Sequence, residues 1–146
     1  MRFFAPIVVA AVATLAAPLA ARADGPCSTE AVRGYFAALD RQDFSGAIAL
    51  TDGAAQTRTS QMVDTLKSEA AAHNARVEVK VKKVDVRSPG APDARGVPIS
   101  VAFRIDVVGK KWCFSKVARK LDGEARFYVD PQHPDRIVAI EGRIVE

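Results

Sequence analysis

The spacing of apolar residues changes once along this chain, near Ala75, and that change constrains the fold more than any other feature. Before it, apolar side chains recur at helical spacing: Val32, Tyr35, Phe36 and Leu39 make one stripe, and Met62, Leu66 and Ala70 another. After it the period is two. Val77, Val79 and Val81 alternate with Glu78, Lys80 and Lys82, and Ile99, Val101, Phe103, Ile105 and Val107 give the cleanest alternation in the chain. Such a strand buries one face. Helices followed by antiparallel strands predict an α+β fold with the helices on one face of a sheet.

Local signals set the expected boundaries. Ser28 or Thr29 can cap a first helix, and Glu30 suits its positive end. Asp43 can cap a short second helix from Phe44 to Leu50, stopped by Asp52–Gly53. A third helix is expected from about Ser60 to His73, ending at Asn74, which tolerates a left-handed C-cap. Among the strands, the alternation slips at Lys82–Lys83, the sequence signature of a β-bulge. Residues 88–96, with Pro89, Gly90 and Pro92, read as a loop. Gly109–Lys111 is expected to turn into a third strand, Trp112 to Leu121. Asp122–Gly123 is a hairpin signal leading to a fourth strand, Glu124 to Asp130, and Arg136 to Val145 reads as the last.

The N-terminus reads differently. Arg2 precedes an uncharged run from Phe3 to Leu19, and Ala21–Arg22–Ala23 places small residues where a signal peptidase reads. The run is short for a membrane span of ~20 residues and is bracketed by Pro6 and Pro18. Residues 1–23 are therefore expected to be a cleaved signal peptide, and residues 24–146 one exported domain, periplasmic or secreted. The formal net charge of +4 falls when Arg2 and Arg22 leave with the peptide. The remaining charge is too small to imply a nucleic-acid partner. In an oxidising compartment Cys27 and Cys113, the only cysteines, are expected to pair. A bridge over so long a loop contributes roughly 4 kcal/mol in the chain-entropy model.

The chain also resembles a known superfamily. Tyr35-Phe36-Ala37-Ala38-Leu39-Asp40-Arg41-Gln42-Asp43-Phe44, followed by Ala47-Ile48-Ala49-Leu50, is similar to the opening of nuclear transport factor 2-like (SnoaL-like) proteins. Phe127-Tyr128-Val129-Asp130 and Arg136 to Glu141 resemble that family's closing hairpin. The resemblance implies a cone: a curved sheet of four to five strands wrapped over three N-terminal helices, enclosing an apolar cavity. Fold alone does not choose a function. Ketosteroid isomerase-type members use a Tyr on the first helix, a carboxylate base and a protonated strand Asp. Tyr35 matches the first. Residues 54–60 contain no acid for the second, and the strand Asp falls at about Ala125, with Glu124 one residue away on the opposite face.

The expected function is therefore a non-enzymatic domain binding a small apolar molecule or a protein partner, without a cofactor. Tyr35, Phe36, Phe103, Ile105, Trp112 and Phe114 are the candidate ligand residues. The alternatives are a lyase or isomerase using Tyr35 and an envelope assembly or secretion scaffold. A homodimer is left open. Lys80, Lys82, Lys83, Arg104, Lys116 and Lys120 fall on adjacent strands as one basic face, read either as solvated or as a landing site for an anionic partner. Asp106, beside Arg104, is expected to sit in an exposed cross-strand pair. His73 and His133 have no neighbours at metal-ligand spacing, so no metal is expected. Protein recovered from the cell envelope is predicted to begin within a few residues of Asp24. Intact mass measures this, and a full-length chain held in membranes would contradict it.

Overall fold

A computed structural model describes residues 26–111 and 114–144, with the side chains of residues 26, 27 and 114–118 excepted. Three helices, α1 (Pro26–Asp40), α2 (Phe44–Ala49) and α3 (Gly53–Ala72), precede four strands, β1 (Arg76–Val86), β2 (Val97–Lys111), β3 (Phe114–Val129) and β4 (Ile137–Glu141). The strands form one antiparallel sheet in the order β1-β2-β3-β4. The fold is α+β with an open four-stranded sheet. No helix among the described residues is long and apolar enough to cross a membrane.

Capping follows the sequence where the side chains are free to cap. Asp43 accepts a hydrogen bond from the Gly46 N–H at 2.9 Å and starts α2. Asn74 is left-handed (φ 48°) just after α3. Other boundaries differ from expectation. Helix α1 starts at Pro26, whose fixed φ and missing N–H suit a first helical position, and not at Ser28 or Thr29. Helix α3 starts at Gly53 instead of Ser60, because residues 54–59 continue the turn and Gly53 supplies a positive φ of 54°. Strand β4 stops at Glu141 and not at Val145. Gly142, at φ 101°, turns the chain so close to β3 that a Cβ would lie 2.8 Å from the Glu124 carbonyl oxygen.

The largest correction concerns Asp122–Gly123. This pair is not a turn: β3 runs through it without a break, with Gly123 opposite Phe103 and Asp122 opposite Arg104. Strand β2 is long enough to pair the whole of β3, and Arg104 donates to Asp122 at 2.9 Å, which holds the Asp in the ladder. The two segments expected as separate strands are therefore one. Likewise Gly109–Lys111 belongs to β2, with Lys111 paired to Phe114.

The expected slip is present between Val81 and Lys83, and register also shifts at Val107/Val108 and at Tyr128/Val129. The inner face carries Val79, Val101, Phe103, Ile105, Phe127 and Val129, all buried, against Val32, Tyr35, Phe36 and Leu39 of α1. Tyr35 and Phe36 meet the Phe127 ring at centroid distances of 5.4 and 5.5 Å, and Phe36 meets Phe103 at 5.9 Å.

Both sheet edges are covered. Beside β4, the Asp52 N–H donates to Ile137 O and the Ile137 N–H to Leu50 O, each at 2.8 Å. Beside β1, the turn after α1 imitates a strand. The Gln42 side-chain amide donates to Val79 O and accepts from the Val79 N–H at 2.8 Å, and Asp40 accepts from the Val81 N–H at 2.9 Å. Gln42 holds a φ of 61° to reach this position. Covering an edge in this way blocks pairing with other chains. Gln42→Ala leaves both Val79 groups without their partner and is expected to cost about 1–3 kcal/mol in urea denaturation. Unchanged stability would show that the amide contacts contribute nothing.

Candidate functional site

Helix α3 packs against β4 and also reaches β1. With Gly53 as its start, Ala55, Thr59, Met62, Val63 and Leu66 all fall on its buried side. Thr59 thereby meets Tyr35, and the two hydroxyls hydrogen-bond at 3.0 Å. Arg58 reaches across to the end of β4, donating to Ile140 O at 2.7 Å and to Gly142 O. Between these elements lies a cleft of about 260 Å³. Tyr35 and Thr59 form its floor, Met62, Ile140 and Ile144 its apolar walls, and Arg58, Gln61 and Thr65 its polar rim.

The electrostatics of the floor are those of a neutral hydroxyl. Burial pushes the Tyr35 phenol above its ordinary value of 10.0, against smaller opposing pulls from the Thr59 hydrogen bond and the Arg58 charge. Among the described residues, the cleft lining contains hydroxyls, an amide and a guanidinium, but no carboxylate, imidazole or thiol. It can donate hydrogen bonds to an acceptor. Its described residues include no group suited to take a proton from carbon.

The expected ligand residues separate. Tyr35 reaches the cleft, whereas Phe103 and Ile105 are packed inside the core and line no part of it. Phe36 is also a core residue, touching only a shallow groove against Val81 and Val84. Trp112 lies outside the described residues, as do the Phe114 side chain and the Cys27 and Cys113 thiols of the expected bridge. Ala125 faces the interior, while Glu124 is exposed on the other face and pairs with Arg87 at 3.2 Å. Among the described residues, no acid therefore stands where an isomerase of the Tyr-and-Asp type would need one. His73 caps the end of α3 and His133 sits in the β3–β4 turn. No group of metal-ligating side chains occurs among the described residues.

The basic residues do share the outer sheet face, interleaved with acids. Lys80, Asp106 and Lys120 occupy one row across β1, β2 and β3, and Lys83, Arg104 and Asp122 the next, with Lys82 in the bulge. The Lys116 side chain lies outside the described residues. Arg104 pairs with Asp122, and not with its chain neighbour Asp106. The exposed pair expected for Asp106 is absent. Asp106 is only 9% exposed, because the flanking lysines stand on either side of it.

Comparisons of this chain with protein-family models, with curated proteins and with solved structures find no significant match. The residues of the site carry the functional argument alone. Its floor is predicted to show in the pH dependence of stability. Unfolded tyrosine ionises near pH 10, and folded Tyr35 ionises later. The contribution is thus complete below about pH 10 and is lost as pH rises towards the folded value. Tyr35→Phe, which strands the Thr59 hydroxyl, is expected to cost about 1 kcal/mol at neutral pH. Above about pH 10 the gap to the native chain should narrow, as followed by urea denaturation. Parallel pH profiles would contradict the placement of the phenol.

Proposed function

We propose that this chain is an exported domain of the nuclear transport factor 2-like type that binds a small, largely apolar molecule in the Tyr35 cleft. The observation that carries this reading is the lining of the cleft: a hydrogen-bonded Tyr35–Thr59 floor under apolar walls from Met62, Ile140 and Ile144. Small-ligand sites combine an apolar surface with a few oriented polar groups. The cleft volume, about 260 Å³, suits a single ring or a short branched chain.

The family reading is supported by the order of elements, three helices followed by an antiparallel sheet with three register shifts, the kind of irregularity that bends a sheet. In that fold the cavity lies between the first helix and the sheet, and the Tyr35 hydroxyl is the polar group directed out of this packing. Export rests on the pattern of residues 1–23. Binding is favoured over proton-transfer chemistry because the described residues of the lining include no base.

Native mass spectrometry of the protein purified from its own host tests the reading. The native chain is expected to carry a bound small molecule, and Thr65→Trp, which places an indole at the mouth, is expected to fold normally and lose it. A ligand retained equally by both would place binding elsewhere.

A further inference from the structure

A second cavity lies on the opposite side of the sheet from the Tyr35 cleft. This groove of about 490 Å³ is lined by Lys82, Arg104, Asp106, Lys120 and Asp122. One pair within it is closed, because Arg104 donates to Asp122 at 2.9 Å. The other three charges are not engaged. Lys82 and Lys120 are exposed and form no ion pair among the described residues.

Asp106 is the unusual member. It is 9% exposed, lines the groove, and has neither a hydrogen bond nor an ion pair among the described residues. Lys80 and Lys120 stand at the paired positions on either side, but neither ammonium is within ion-pairing distance of the carboxylate. Asp106 thus sits low in the groove with its carboxylate oxygens open to the groove's solvent and no charged partner among the described residues.

We propose that this groove binds a small zwitterion carrying one ammonium and two anionic groups, the chemistry of an acidic amino acid. Asp106 receives the ammonium, and Lys82 and Lys120 receive the two anions. Charge complementarity selects this class. A simple dianion satisfies the lysines but is repelled by Asp106 and leaves it unpaired. A simple cation pairs with Asp106 but faces both lysines. The acidic amino acid matches all three charges left over by the Arg104–Asp122 pair. The volume leaves space for the ligand with its remaining hydration.

Calorimetric titration at low salt with L-glutamate, glutarate and 4-aminobutyrate tests the assignment. The native chain is expected to bind L-glutamate about tenfold or more tightly than either analogue, the usual effect of one charge-assisted contact. Asp106→Asn should reduce L-glutamate to the level of glutarate. Lys82→Gln combined with Lys120→Gln, both at exposed positions, should weaken L-glutamate and glutarate alike without changing the melting temperature. Thr65→Trp, in the other cleft, should leave L-glutamate binding intact. Equal binding of glutarate and L-glutamate by the native chain would overturn the proposal and reduce Asp106 to the acidic member of a lysine ladder. Absence of L-glutamate binding at millimolar concentration, or its loss in Thr65→Trp, would also overturn it. The selectivity of the native chain decides the matter even if Asp106→Asn does not fold.

Discussion

The packing of Tyr35 and Phe36 on Phe127 is the contact on which the rest of this structure depends. Phe127 lies at the centre of the inner sheet face, and the two α1 aromatics approach it edge-on or tilted, the arrangements that ring quadrupoles favour. That contact fixes the height of α1 above the sheet. It also directs the Tyr35 hydroxyl away from the apolar layer, towards α3, where Thr59 satisfies it. A phenylalanine at position 35 would fill the same space and leave the floor of the cleft with the Thr59 hydroxyl alone.

The cleft lies past the points where α3 and β4 are tied together. Arg136 bonds to Asp52 at 3.1 Å and to the Ala49 carbonyl, which ties the start of β4 to the turn before α3. Further along, Arg58 reaches the Ile140 and Gly142 carbonyls. Beyond these ties, Met62 and Ile144 line the cleft over the Tyr35 floor. On the outer face a different device operates. Arg95 stacks over Tyr128 at 4.3 Å and pairs with Glu141, so the loop after β1 covers an aromatic ring that the sheet would otherwise expose.

Much of the fold was legible in the sequence because its signals were local. The switch of period near Ala75, the Asp43 cap, the left-handed Asn74 and the bulge at Lys82 each depend on a few adjacent residues. The misreadings were decided by partners far away in the chain. Asp122–Gly123 has the composition of a turn, but pairing with Arg104 and Phe103 makes it a strand. Gln42 looks like one more polar turn residue until β1 arrives beside it. The site was half legible for the same reason. Tyr35 and Met62 were visible on their helical stripes, whereas Arg58 and Thr59 were not, because starting the third helix at Ser60 left its first turns out of the pattern. Extending the stripe back from Met62 to Thr59 and Ala55 was the available signal. Ile140 and Ile144 carried none, since only the tertiary fold brings the end of the chain over Tyr35.

The central claim is that the space above Tyr35 is a ligand site and not an imperfection of packing. A high-resolution crystal structure of the protein purified from its own host tests this most directly. The account predicts non-protein density bounded by Met62, Ile140 and Ile144, with an acceptor atom in hydrogen-bonding reach of the Tyr35 hydroxyl. Met62 and Ile144 closed onto the Tyr35 ring, with no space between them, would contradict it.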